Sequence, residues 1–221
     1  MVTKATKVRK PRKRSAGRPF ESGTVGTGAI IEAAVQLLRD RSPLELTVVE
    51  VAQQANVDPA LIRYYFGNKK GLLRAATEHL MEEVQERSRI MLTEKVPLKE
   101  RVRKRLSLLL AVLQENPRFF QLVMEEIYKD EDGERGRDGL RSVANRGLAL
   151  SEALLEPVAG DPALRAVDAR LLHVAILGMC TFFMDAKPLL TILFEDEAGE
   201  DAYTEQYLDF ATGLLVRGLA A

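Results

Sequence analysis

Residues 47–73 read TVVEVAQQANVDPALIRYYFGNKKGLL. Thr47 and Glu50 have the spacing of a capping box, in which the threonine hydroxyl takes the Glu50 N–H and the carboxylate reaches back to the Thr47 N–H. Leu46 and Val51 flank that box as a hydrophobic staple. Val48, Val51, Ala52 and Ala55 then recur at helical spacing. Asn56 stands where the chain must reverse, and asparagine tolerates the left-handed backbone of such turns. Asp58-Pro59 restarts a helix, the aspartate as N-cap and the proline at the first helical position, where a missing N–H costs nothing. Two short helices joined by a few residues make a helix-turn-helix. On patterning alone, a helical hairpin packed into a core fits equally well.

The side chains of the second helix separate the two readings. With Ile62 and Phe66 facing a core at i and i+4, Arg63 and at least one of Tyr64 and Tyr65 must point outward. A core-packing helix has little use for that trio; a helix laid on DNA uses it for base edges and phosphates. Asn68 follows as an N-cap, and Lys69 and Lys70 fall in the first turn of the next helix, where cations oppose the helix dipole by ~0.3–1 kcal/mol each. A bound phosphate reverses that sign, because helix N–H groups and lysines then converge on one anion.

This segment resembles the DNA-binding domain of the TetR family of transcriptional regulators, with its pattern T-x-x-x-I-A-x-x-A-G-V-S-x-x-T-L-Y-x-Y-F-x-S-K-E-x-L. Thr47, Ala52, Ala55, Val57, Tyr65, Phe66, Lys69 and Leu72 match it, and Val51 and Ile62 keep its apolar character. Asn56, Asp58, Leu61, Arg63, Asn68 and Lys70 depart from it. Leu61 and Arg63 fall where the family often touches DNA, so this chain should read a different operator. The resemblance implies an all-α fold: a three-helix DNA-binding head over residues 25–80, joined by a connector helix to a helical regulatory and dimerisation domain over 81–221.

The remaining composition fits this arrangement. The 221 residues carry 32 basic and 32 acidic side chains, but eight of the basic ones lie in residues 1–20 with no acidic residue among them. That leaves the rest of the chain with an excess of eight negative charges. The cationic stretch lacks apolar periodicity and holds Pro11, Gly17 and Pro19, so residues 1–24 read as a disordered arm, either a solubilising tail or a tracker of DNA phosphates. Ala16-Gly17-Arg18-Pro19 resembles an AT-hook core lacking its first arginine, which makes Arg18 a candidate minor-groove contact. The candidates for DNA contact are therefore Arg18, Thr47, Ala60, Leu61, Arg63, Tyr64, Tyr65, Lys69 and Lys70. One cysteine, Cys180, excludes an intrachain disulfide framework. With two histidines, no glycine-rich phosphate loop and no metal-ligand spacing, neither an enzyme nor a cofactor or metal site is expected. No signal peptide or span is visible, and the expected location is the cytoplasm, at the nucleoid.

Along the chain, helices are expected from Thr27 to Arg41 and from Asn68 to Leu92. A further helix after Pro97 carries a basic face of Lys99, Arg101, Arg103, Lys104 and Arg105. Asn116-Pro117 reads as another capped start, residues 129–139 as an acidic, glycine-rich loop, and Leu140–Glu156 as a helix. Ala169–Met184 is apolar on almost every side and must be covered all round. The last helix follows a second acidic loop at 195–201 and carries Tyr203, Tyr207 and Phe210. The family resemblance implies that the C-terminal helix pair forms a homodimer reading a palindromic operator, although the same pair could close a monomer core. It further implies a pocket for an unknown small-molecule effector, with Phe119, Phe120, Met124, His173, Met179, Phe182, Phe183 and Met184 as candidate lining. Each of these also reads as plain core. A ligand-released repressor and a DNA-binding factor with no inducer, architectural or partner-controlled, both remain open.

Overall fold

The helix starts expected at Thr47, Asp58 and Asn68 are present in the computed structural model, which describes residues 23–128, 133–194 and 200–221. Thr47 Oγ1 accepts the Glu50 N–H at 3.2 Å, while Glu50 Oε2 accepts the Thr47 N–H at 3.0 Å. Asp58 Oδ1 accepts from Ala60 N–H at 2.8 Å, and Asn68 Oδ1 from Gly71 N–H at 2.9 Å. Asn56 sits at φ 53°, in the left-handed region the turn requires. The elements so started are α2 (Val48–Gln54), α3 (Pro59–Phe66) and α4 (Lys69–Leu92).

α1 runs from Gly23 to Asp40 and begins before the expected Thr27. Its inner stripe of Ile30, Ala34 and Leu38 closes one core with Leu46, Val51, Ile62 and Leu72. This core, built on α1 to α4, is the head. The described residues contain ten α-helices, a π-helical turn and no strand, so the all-α expectation holds.

The body consists of α5 (Leu98–Glu115), the short α6 (Phe119–Leu122), a π turn (Val123–Tyr128), α7 (Gly133–Leu155), α8 (Ala169–Asp185), α9 (Lys187–Leu193) and α10 (Glu200–Leu219). Its core gathers Val102, Leu106, Leu110, Leu172, Ile176 and Ala211. Several expectations are corrected here. Asn116 does not cap α6; its side-chain amide donates to the Val112 carbonyl at 3.1 Å and so finishes α5. The expected loop over 129–139 is helical from Gly133, and residues 129–132 lie outside the described set. Likewise the second acidic loop gives way to α10 at Glu200, with 195–199 undescribed.

The basic face of α5 is not a face. Arg101 and Arg105 are buried, while Arg103 pairs with Glu205 and Asp209 on α10 and Lys104 pairs with Glu94 and Glu100. Arg101 donates to the carbonyls of Val96, Leu154 and Glu156 and to Asp161 Oδ2 at 2.9 Å, tying the end of α7 to the start of α5. α8 is not covered all round either: Leu171, Val174 and Phe182 remain exposed. No single helix among the described residues is long and apolar enough to cross a membrane.

Candidate nucleic-acid interface and internal cavity

α3 is held to the head by one side only. Ile62 is fully buried and Phe66 packs on the same core, which leaves Ala60, Leu61, Arg63, Tyr64 and Tyr65 exposed on the rest of the helix. Tyr64 is 80% exposed. Its ring meets Tyr65 edge to face at 5.0 Å, and Tyr65 meets Phe66 at 6.4 Å, so the outer phenols are braced from the core. Arg63 makes no hydrogen bond or ion pair among the described residues. An unengaged guanidinium beside two phenols can donate to a phosphate or, bidentately, to a guanine edge.

Around α3 the other candidates are partly committed to structure. Thr47 Oγ1 is engaged with Glu50 Oε2 at 2.7 Å as well as with its N–H. Those hydrogen bonds from the Thr47 hydroxyl and N–H, and then the Arg41 guanidinium, hold the Glu50 carboxyl below its ordinary value. Lys69 Nζ donates to the Leu44 carbonyl at 2.8 Å and so ties the α1–α2 loop to the first turn of α4. An ammonium has three donors, so this bond leaves two for another acceptor. Lys70 is exposed next to it, and Arg18 lies outside the described residues.

Within the body, residues from α4 to α8 line a cavity of about 580 Å³. Phe119, Phe120, Met124 and His173 line it, as expected from the sequence. Met179, Phe182 and Phe183 do not. Phe183 is buried and stacks on Tyr207 at 3.9 Å, the Met179 carbonyl accepts from the Tyr207 hydroxyl at 2.9 Å, and Phe182 is 68% exposed. Met184 packs on the body core. The reason is rotation about α8: successive residues diverge by about 100°, so one helix cannot send all its large side chains into one cavity. His173 has its place because Gly147 has no side chain; a Cβ there would come within 2.5 Å of His173 Nε2. Ser151 Oγ lies 3.4 Å from His173 Nδ1. Burial, and then the nearby Arg105, push the His173 pKa down, so the ring is neutral at pH 7.

Arg105 was not among the expected lining residues, because its neighbours in sequence read as a solvated basic face. It is 5% exposed, lines the cavity, and donates from Nη1 to Ser88 Oγ at 2.6 Å. Burial pulls its pKa down to about 10, which still leaves it charged at neutral pH. The neighbouring Cys180 thiol is pushed up to about 12 by burial, against the pull of Arg105, so it stays neutral. A larger concavity of about 930 Å³ lies beyond Gln85, between α4 and the end of α7. Its arginines are already matched: Arg89 with Glu86, Arg101 with Asp161, and Arg146 with Gln85 and Glu82.

Two family models match the chain: bacterial regulatory proteins of the tetR family over residues 30–76, and the tetracyclin repressor-like C-terminal domain over residues 99–214. The transcriptional regulators BetI of Brucella canis and Rhizobium meliloti are each 40% identical to it, over 55 and 53 residues, or 25% and 24% of this chain. Those segments are 28% and 26% of the BetI chains, so the match spans only about a quarter of these relatives. Among solved structures, FadR from Bacillus subtilis in complex with stearoyl-CoA superposes with a TM-score of 0.59 at 20% identity, over 86% of this chain and 98% of its own. A TetR-family regulator from Mesorhizobium loti gives a TM-score of 0.66 at 15% identity, over 90% and 98%. At these identities the structural likeness is one of fold.

Proposed function

The chain belongs to the TetR family of transcriptional regulators, and on that premise we propose that it is a homodimeric repressor released from its operator by a small molecule held in the internal cavity. The observation that carries the reading is α3: a helix anchored through Ile62 and Phe66 whose outward side presents Leu61, Arg63, Tyr64 and Tyr65. Phosphate contacts position such a helix and base-edge contacts specify its sequence. Arg63, which has no hydrogen-bond or ion-pair partner among the described residues, is the residue assigned to base reading.

Dimerisation is supported by the uncovered apolar side of the body. Leu171, Val174 and Phe182 on α8 and Phe210 and Leu214 on α10 are exposed, and large apolar side chains left uncovered on two helices suit an association site. A two-fold dimer places two α3 helices on two half-sites of a palindrome.

Control by a ligand is supported by the cavity, whose size lies in the range of small-molecule sites and whose lining is mostly apolar. An apolar, aliphatic or aromatic effector suits that lining; the FadR structure, of similar fold, holds stearoyl-CoA. Such a ligand shifts the operator equilibrium only by its differential affinity for the two head arrangements.

Selection of bound sites from random DNA tests the DNA reading, with a two-fold-symmetric site expected. In Arg63→Ala, preference at one base-pair position should relax at a cost of ~1–3 kcal/mol. Equal loss on every sequence would make Arg63 a backbone contact instead. Operator release measured across a metabolite panel tests the ligand reading, and release by none would leave a DNA-binding factor without an inducer.

A further inference from the structure

The cavity contains a charge that no described residue neutralises. Arg105 is 5% exposed, and its one hydrogen bond among the described residues goes to the neutral hydroxyl of Ser88. Ser88 Oγ in turn donates to the Val84 carbonyl at 2.8 Å, so it is a fixed acceptor and not a counter-ion. Among the described residues no aspartate or glutamate lines the cavity. The other described polar side chains lining the cavity are Gln85, Tyr128, His173, Cys180 and Thr181, none of them anionic at neutral pH. The Thr181 hydroxyl donates to the Leu177 carbonyl at 2.8 Å.

Elsewhere on the same helix the chain handles buried cations differently. Arg101, one turn earlier, has Asp161 and three carbonyls. Arg103 has Glu205 and Asp209. A buried ion is expensive unless it is paired and fully hydrogen-bonded, and a lone guanidinium facing an apolar chamber offers several unused donors in a fork that fits a carboxylate. Removing it would stabilise a protein that had no use for it.

We propose that the effector is an amphiphilic monocarboxylate, its apolar body lying among Phe119, Phe120 and Met124 and its carboxylate held bidentately by Arg105, with the neutral His173 ring beside it. The inference rests on the cavity being the effector site and names the chemistry of its occupant. It distinguishes a free acid, whose anion lies deep inside, from a thioester of the same chain, which has no charge to give Arg105 and carries its phosphates elsewhere.

The test uses the full chain, calorimetric titration and three probes with one shared tail: dodecanoate, dodecanol and dodecanoyl-CoA. The wild type should prefer dodecanoate to dodecanol by roughly ten- to a hundredfold, the worth of a charge-assisted pair out of water. Arg105→Met should abolish that preference and Arg105→Lys should keep part of it. In the ligand-free state Arg105→Met should melt higher than the wild type, because an unpaired buried charge is gone. A lower melting temperature for Arg105→Met would give the arginine a structural role and overturn the proposal. Equal binding of dodecanol, tighter binding of dodecanoyl-CoA, or an unchanged preference in Arg105→Met would also overturn it while leaving ligand control standing. Binding of none of the three would remove the proposal together with the reading of the cavity. Arg105-dependent binding of dodecanoate without operator release would uphold the site and sink the repressor mechanism alone.

Discussion

Gly67 and Gly71 serve one junction in two ways. Gly67 takes φ 75° and ψ −56° and closes a three-residue γ-turn in which the Asn68 N–H donates to the Phe66 carbonyl at 2.8 Å. That turn brings α4 back so sharply that a Cβ on Gly71 would lie 2.1 Å from the Phe66 carbonyl oxygen. The obstacle is backbone and can yield only by moving α3 or α4. Gly71→Ala should therefore cost about 1–3 kcal/mol in urea unfolding and weaken operator binding beyond that loss of stability. An alanine variant matching the wild type in both would show that the junction has slack. A second residue-scale case is Asp161. Burial pushes its carboxyl up, but the N–H groups of Leu98 and Val158 and the Arg101 guanidinium outweigh burial, and the net pKa lies below the ordinary value. A folded pKa below the unfolded one means that this stabilisation is present above about pH 4 and is lost as pH falls through the folded value. Asp161→Asn should lower stability at neutral pH by about 3–5 kcal/mol and flatten the acid limb of the stability profile; an unchanged limb would assign it to other carboxylates. The caps at Thr47, Asp58 and Asn68 are legible in sequence because a short side chain meets its own neighbouring backbone. Gly71, Arg101 and Arg105 are not, because what they meet is brought in by a turn, by the end of α7 or by α4.

Among the elements, α6 and the π turn after it join head to body. Leu122 is 1% exposed and belongs to the head core, although it lies on a body helix. Phe119, one turn earlier, packs against both cores and lines the cavity. Val123, Met124 and Tyr128 of the π turn line the cavity too, and π turns are uncommon in helices except where function places them. This short piece thus touches both the internal cavity and the head core. If Leu122 is the tie, the wild type should unfold in one transition, whether followed by operator binding or by far-ultraviolet circular dichroism. Leu122→Ala should lose about 2–5 kcal/mol and separate the two, the head failing first. Coincident transitions in the variant would place the coupling elsewhere, along α4. In sequence, FFQLVMEEIY reads as one amphipathic helix, since helical spacing cannot distinguish which of two cores an inward residue joins.

At the scale of the whole molecule, the apolar α8 is covered only in part by its own chain. Its near-uniform hydrophobicity called for cover on every side, and α5 and α7 pack against only part of it. Leu171, Val174 and Phe182 stay outside, and Phe210 of α10 is 61% exposed. Tyr207, whose hydroxyl reaches the Met179 carbonyl, and the Phe183–Tyr207 stack tie α10 to α8, the two helices that carry these exposed residues. Periodicity cannot separate such a stripe from core or cavity lining, which is why Phe182 and Phe183 were grouped in sequence and stand apart in the fold. If the surface is the homodimer interface, charges introduced there should separate the subunits without unfolding them, because neither side chain supports the body core. The double variant Phe182→Glu/Phe210→Glu should sediment as a monomer and keep the wild-type helical circular dichroism. Its single α3 helix would then bind a half-site without the effective concentration that a linked second head provides, and operator affinity should fall by roughly 10²–10⁴-fold. Binding to an isolated half-site should change little. A variant that remains dimeric would move the interface off α8 and α10, and a monomer with full operator affinity would make the palindrome irrelevant to how this chain holds DNA.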